Sequence, residues 1–401
     1  MTIKIGKPYL KNENGKTRLL SDINAENDKF TLWYEVEEKY EPYLMVERCD
    51  SFAIVLLPWA MMKAKKSKIK VNIVSDTCIS AKLWHQLTDY YIPILSDSIS
   101  YYNSINVDIK TAPNTIPIGK GCASSISGGL DSFYTIHKYK DYPVDEFRLT
   151  HVFYCDYGFY GDGIGSNNED TNTAKLRKVA DAVNLEFIKF SSNVVQTLYQ
   201  KGHGPIVPAV LTSTILSLQK LISVFHYSSA EGSRDFSMDE EQACCYDLLN
   251  MYCFSTENTS FYLSGMDVMR LDKAAFVADI PIVQENLLVC ETQVDSKNCS
   301  ICANCTHTMA EFSVLGKLDS FSKVFDIARF KKNPGYYWGY MLLKSRGSGL
   351  YIRELKEIVR VYKQNNGSFP LGVHWAAFTK WVKRGFTTAN KARRRVEDEI
   401  R

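Results

Sequence analysis

The chain has 401 residues, 45% of them hydrophobic and 23% charged, with a net charge of +3. That size allows a large core and predicts more than one domain. The near-balanced charge argues against nucleic-acid binding along the whole length, and no apolar run approaches the ~20 residues of a membrane span, so no membrane partner is expected. Met1-Thr2-Ile3-Lys4 lacks the apolar core of a signal peptide, which predicts a cytoplasmic location. There, the 11 cysteines read as metal ligands or reduced core thiols rather than disulfides.

Residues 1–112 read as a separate N-terminal α+β domain. Strands are expected over Lys4 to Leu10, Arg18 to Asp22 and Thr31 to Glu37, with a turn at Asn12-Glu13-Asn14-Gly15 joining the first two. Ser51 to Lys65 reads as a helix that Pro58 kinks. Ile69 to Val74 and Ile105 to Lys110 read as strands, and Ala81 to Leu95 as a helix. Glu35, Glu37, Glu47 and Asp50 read as solvated carboxylates, with a partner-facing set as the alternative, and Cys49 and Cys78 as core thiols. The segment Lys110 to Pro117 reads as a linker, because its prolines interrupt helix and ladder alike.

Cys122 to Ile126 reads as a short strand and Phe133 to His137 as the opening of a helix. Between them lies Ser127-Gly128-Gly129-Leu130-Asp131-Ser132. A strand, a small-residue turn and a helix N-terminus make an anion site: glycines let the backbone approach a phosphate, and free N–H groups and the helix dipole point at it. Ser127 and Ser132 add hydroxyl donors, and Asp131 is suited to holding Mg²⁺. A Gly-Gly turn with an acidic cap is the plain alternative.

This hexapeptide resembles the pyrophosphate loop (PP-loop) of the N-type ATP pyrophosphatases. That superfamily includes NAD, GMP and asparagine synthetases, tRNA-thiolating enzymes and 7-cyano-7-deazaguanine synthases. The resemblance implies an α/β fold with a doubly wound parallel, Rossmann-like sheet of the adenine nucleotide alpha hydrolase kind. It also implies ATP and Mg²⁺ as ligands, contacts from Ser125, Ser127, Gly128, Gly129, Leu130, Asp131 and Ser132, and catalytic roles for Asp131 and Ser132.

Leu149 to Asp156 is an apolar run that fits a buried parallel strand. Ligands of open α/β sheets lie beyond the carboxyl ends of the strands, which places Asp156, Tyr157 and Gly158 beside the loop. Gly161 to Asp170 reads as a lid, Asn172 to Asn184 as an amphipathic helix and Leu185 to Phe190 as a third strand. His203 reads as a structural histidine, with a catalytic base as the alternative. A helix is expected over Val210 to Val224, then a fourth strand from Tyr227 to Ala230. The strand runs into Gly232, Ser233 and Asp235, candidates for the adenylate or acceptor pocket or else an ordinary turn, while Arg234 reads either as a partner for phosphate charge or as a surface residue.

Cys290, Cys299, Cys302 and Cys305 form the second motif. Four thiolates within so short a segment suit tetrahedral Zn²⁺ with no open position, hence a structural metal. Iron–sulfur ligation competes, because C-x-x-C-x-x-C also serves clusters. His307 is an adjacent substitute ligand. The 7-cyano-7-deazaguanine synthases resemble this sequence here, with a four-cysteine zinc site of the same spacing. Loop and cluster together assign residues 113–320 to a domain of that kind.

Residues 321–401 read as a helical C-terminal extension. From Lys380 to Arg401 there are eight Lys or Arg and three Asp or Glu, a local net of +5 (8 − 3). That run is either a solvated helix end or a nucleic-acid contact.

The resemblance implies an ATP-dependent carbon–nitrogen ligase, forming AMP and pyrophosphate. It would adenylate a carboxylate, 7-carboxy-7-deazaguanine or a related acid, and pass it to ammonia or to another amine, including a peptide or protein amine. Amide and nitrile are both open as products, and a homodimer is open as the assembly. The alternatives are a tRNA-thiolating enzyme using Cys155 and a non-catalytic ATP-binding scaffold. The family's acidic, proline-containing substrate stretch is not recognisable after Gly232, so the acceptor is the least determined part.

Overall fold

The computed structural model describes residues 1–26, 28–157, 167–199, 206–239, 242–290, 297–347 and 352–382. The chain is mixed α/β and divides into two compact units, Met1–Asp267 and Val268–Arg401.

The first unit is built on one sheet of 11 strands, mostly parallel. Its parallel half contains β9 (Gly121–Ser125), β10 (His151–Asp156), β11 (Glu186–Ser192), β12 (Ile222–Ser228) and β13 (Ser260–Ser264). These lie in the order β11-β10-β9-β12-β13, every neighbour parallel. Numbered by sequence, that is 3-2-1-4-5, an order compatible with a Rossmann-like fold. The connections carry helices α4 (Leu130–Tyr139), α5 (Asn167–Ala182), α6 (Val207–Leu216) and α7 (Asp247–Phe254), as parallel crossovers require. The strands are buried and apolar, with Val152, Phe153, Ile188, Phe190 and Phe225 at 0% exposure.

Most of the strands in residues 1–112 belong to this sheet. β1 (Thr2–Ile5), β2 (Tyr9–Glu13), β3 (Lys16–Ala25) and β4 (Asp28–Glu37) make an antiparallel group. β1 then pairs in parallel with β5 (Asn72–Ser75), and β5 with β7 (Asn106–Asp108). β4 joins the parallel half through Glu35↔Ser191 and Tyr34↔Ser192. β1 to β5 and β7 extend the same sheet as the parallel half, and one core runs from Ile3 to Phe261. The expected linker forms β8 (Thr111–Ala112), which pairs with β6 (Ile79–Ser80).

Helix α1 (Asp50–Ser67) continues through Pro58, and every residue from Asp50 to Met61 is buried. A helix apolar all round is a core helix, and α1 packs on α6. The cross-links are polar where they must be. Tyr34 Oη donates to Ser213 Oγ at 2.9 Å and Tyr199 Oη to the Val55 carbonyl at 2.7 Å. Asp50, expected in solvent, is fully buried and accepts from Ser80 N, Ser80 Oγ and Gln219 Nε2 at 2.8, 2.6 and 2.8 Å. A buried carboxylate needs that many donors.

Local expectations hold to differing degrees. The Asn14-Gly15 turn joins β2 to β3, with both residues at positive φ (52° and 72°). The helix expected over 210–224 stops at Leu216, and β12 begins at Ile222. Residues 167–170, expected in a lid, begin α5, whereas Gly161 to Ser166 and His203 lie outside the described residues.

The second unit is helical, with α8 (Arg270–Val277), α9 (Pro281–Asn286), α10 (Ala303–Val314), α11 (Ile327–Lys332), α12 (Pro334–Lys344), α13 (Ile352–Asn366) and a last helix over 371–382. Helix α10 is its centre and touches α8, α12 and α13. Among the described residues no helix is long and apolar enough to cross a membrane.

Candidate functional site: a loop at the sheet's switch point and a four-cysteine centre

In a 3-2-1-4-5 sheet the connections leave strands 1 and 4 in opposite directions, which opens a crevice between their carboxyl ends. Here those strands are β9 and β12. The hexapeptide lies in that place, directly after β9. Gly128 has φ +78°, a left-handed conformation that only glycine adopts at little cost. Gly129 is the N-cap of α4 and brings no capping side chain, so the first N–H groups of the helix remain to be satisfied from outside it.

The loop is stiffened from within. Ser132 Oγ donates to the Gly129 carbonyl at 3.0 Å and accepts from Ser127 N at 3.4 Å, and Ser127 Oγ accepts from Gly129 N at 3.2 Å. Ser132 is 3% exposed. Ser228 Oγ donates to Thr135 Oγ1 (2.9 Å) and Thr135 Oγ1 to Ser264 Oγ (3.2 Å), which ties β12, α4 and β13 together below the loop.

A cavity of about 210 Å³ opens here, lined by Ser125, Ser127, Gly129, Asp131, Ser132, Leu211, Tyr227 and Ser228. Five of the expected contacts are thus brought together. Leu130 is 1% exposed and belongs to the core. Tyr157 turns inward, its hydroxyl donating to Thr214 Oγ1 at 2.8 Å. Asp156 is 8% exposed at the end of β10. Gly232 caps the short turn Ser233–Asp235. Of the described candidates, Gly128, Leu130, Asp156, Tyr157, Gly232 and Asp235 are not among the lining residues; Gly158 lies outside the described residues. Leu211, Tyr227 and Ser228 escaped the sequence reading. Tyr227 and Ser228 end the strand beside β9, so strand order is the signal that would have found them.

Chemically, the loop offers backbone N–H groups, hydroxyls and one carboxylate around a small cavity. That set suits a phosphate with a divalent cation: N–H groups and hydroxyls take phosphate oxygens, and Asp131 supplies the hard oxygen ligand Mg²⁺ requires.

In the second unit the sulfur atoms of Cys290, Cys299, Cys302 and Cys305 all lie within 4.8 Å of one another. The Cys299 and Cys305 sulfurs are 3.9 Å apart. Tetrahedral Zn²⁺ with Zn–S of about 2.3 Å sets its sulfurs about 3.8 Å apart, so the cluster is compatible with zinc. A four-iron cluster spreads its cysteines over separate irons, farther apart than a single ion does.

Local geometry builds the site. Ser300 has φ +60°, which turns the chain sharply between Cys299 and Cys302. Backbone N–H groups of Cys299, Cys302 and Cys305 donate to Cys290, Cys299 and Cys302 sulfurs at 3.4, 3.3 and 3.5 Å. Outside this shell, Asn298 receives Val289 N (2.9 Å) and donates to the Leu287 and Val324 carbonyls (2.9 and 3.1 Å). Tyr337 Oη donates to the Ser300 carbonyl at 2.7 Å. Burial and the neighbouring Cys302 and Cys290 push the Cys305 thiol up, so four thiolates coexist there only against a cation. His307 is engaged elsewhere, its Nε2 lying 3.4 Å from Glu311 Oε1.

Compared with known proteins, the chain matches no family model, no curated protein and no solved structure.

Proposed function

We propose that the chain is an ATP-dependent ligase of the PP-loop ATP pyrophosphatase type, resembling the 7-cyano-7-deazaguanine synthases. One observation carries this reading: the Ser-Gly-Gly-Leu-Asp-Ser turn lines a cavity between the carboxyl ends of β9 and β12. The ATP phosphates would lie along Ser127, Gly129 and the N-terminus of α4, with Asp131 holding Mg²⁺, whose role is to neutralise phosphate charge. A substrate carboxylate attacks the α-phosphorus, pyrophosphate leaves, and the acyl adenylate meets a nitrogen nucleophile. The loop's own contribution is positioning and preorganised donors, because the nucleotide carries the driving force. Ser132 acts through the loop it braces. The four-cysteine centre, with every ligand position filled by protein, has a structural role for Zn²⁺.

The thiolation alternative has a weaker basis. It needs Cys155 as a thiolate, and burial pushes that thiol up to about 12, against the low values reactive cysteines show. The test is mass spectrometry of the products formed from ATP, ammonium and a panel of carboxylic acids that includes 7-carboxy-7-deazaguanine. AMP together with an amide or nitrile supports the ligase. A thiolated product with tRNA and a sulfur donor, or no turnover with any substrate, would replace it.

A further inference from the structure

The helix over 371–382 buries its small side chains and exposes its large ones. On the inner face Val373 and Ala377 are buried. Ala376 packs so closely on α12 that a Cβ added at Gly335 or at Gly339 would meet the Ala376 Cβ at 3.2 Å. Lys380 turns the same way: its Nζ donates to the Tyr336 carbonyl at 2.7 Å and lies 4.0 Å from the Tyr336 ring centroid. Just before the helix, Phe369 is buried and stacks on Tyr362 of α13, ring centroids 4.1 Å apart. Close backbone approach, one ammonium over a ring and one stacked ring thus hold the helix from one side.

The outer face is a ridge of large apolar side chains. Leu371, Trp375, Phe378 and Trp381 follow one another at the helical spacings of four and three, and they are 88%, 68%, 51% and 61% exposed. The rings adjoin, with centroids 5.9 Å apart between Trp375 and Phe378 and 6.0 Å apart between Phe378 and Trp381. Single exposed apolar residues need no explanation, but a contiguous set marks a docking face. Charge selects the occupant. Lys380, the one lysine of 371–382, is turned to α12, and the other cations follow in sequence. From Lys383 to Arg401 there are seven Lys or Arg against three Asp or Glu. An apolar ridge with a separate basic run beside it suits an anionic lipid surface, where rings enter the interface and cations meet the headgroups. Single-stranded RNA fits less well, because its binding pairs stacking rings with cations along one groove, and Leu371, the most exposed member, has no ring. A second copy fits less well too, since two-fold contact through this ridge brings two basic runs together.

We infer that the outward face of the helix over 371–382 docks the chain on an anionic membrane surface. Leu371, Trp375, Phe378 and Trp381 enter the boundary between headgroups and acyl chains, and the basic residues from Lys383 onward meet the anionic headgroups. This is attachment to one leaflet and not a span, in keeping with the absence of a membrane-crossing helix among the described residues. An apolar signal and an electrostatic one together are what stable surface attachment requires.

The test is co-sedimentation of the full chain, without nucleotide, with vesicles of phosphatidylcholine alone and of phosphatidylcholine with one third phosphatidylglycerol. The mixed vesicles should pellet the chain, the neutral ones should pellet far less of it, and added salt should weaken the binding. The double variant Trp375→Ser, Phe378→Ser changes two side chains more than half exposed. It should keep the wild-type melting temperature and bind the mixed vesicles about tenfold or more weakly. Brominated acyl chains should quench tryptophan fluorescence of the bound wild-type chain, because Trp375 and Trp381 stand among them. Failure of the mixed vesicles to pellet the wild-type chain would overturn the proposal. Pelleting without quenching would overturn it as well, from the wild-type protein alone, by leaving a purely electrostatic contact. So would a folded double variant that binds like wild type. Retention of an oligouridine in place of vesicles would assign the ridge to RNA instead.

Discussion

At the scale of single residues, the Ser127–Ser132 loop depends on one backbone conformation and one hydroxyl. Gly128 at φ +78° tolerates no side chain without strain, and Gly128→Ala should cost about 1–2 kcal/mol, read as a lower denaturation midpoint. Ser132, read from the sequence as a phosphate donor, lines the cavity but also spans Gly129 and Ser127. That double placement was not legible, because a serine's spacing says nothing about which of several nearby carbonyls and amides it meets. Tyr227 and Leu211 were missed for a related reason: an apolar or aromatic residue at a cavity wall has the same sequence signature as one in the core. Glycine and cysteine are more legible. A Gly-Gly between strand and helix and a C-x-x-C-x-x-C state their geometry within a few residues, and both occur where the motif placed them.

At the scale of elements, the joint between β4 and β11 decides the architecture. Two residue pairs, Glu35↔Ser191 and Tyr34↔Ser192, make it. Neither strand's pattern announces it, because pairing between strands so far apart in sequence is a tertiary choice, not a local one. Glu35 stands at this joint and accepts from Lys16 Nζ at 2.8 Å and from Arg18 Nε at 2.6 Å. Burial alone would raise its carboxyl, but the two cations outweigh that and hold it below its ordinary value of 4.5. A carboxylate with a depressed folded value stabilises fully above its unfolded value, and that contribution is lost as pH falls through the folded one. Wild type should therefore be more stable than Glu35→Gln at pH 7, and the two denaturation midpoints should converge by about pH 3. A gap that stays constant over that range would remove Glu35 from the acid dependence. The helix expected across 210–224 failed at the element scale too. Ile222-Ser223-Val224-Phe225 suits helix and strand alike until its neighbour β9 is known.

At the scale of the whole molecule, two units carry two candidate sites, a glycine-containing loop at a cavity in Met1–Asp267 and a four-cysteine cluster in Val268–Arg401. The α/β class and the presence of a parallel half were legible from strand–helix alternation. The 11-stranded extent of the sheet was not, since the pairing of β4 with β11 joins strands far apart in sequence. The cluster predicts that the purified chain holds zinc. Cys302→Ser should lower its zinc content and its melting temperature together, checked by elemental analysis and a thermal scan; iron in the wild-type chain would contradict the assignment. The Ser127–Ser132 loop carries the larger proposal, because loop, switch point and cavity all bear on the proposed cleavage of ATP. The most direct measurement is the product pair released from ATP by wild type and by Asp131→Ala in the presence of Mg²⁺ and candidate carboxylates. The account predicts AMP and pyrophosphate from wild type and loss of both from Asp131→Ala with the fold intact. ADP and phosphate from wild type, or wild-type pyrophosphate release by Asp131→Ala, would contradict it.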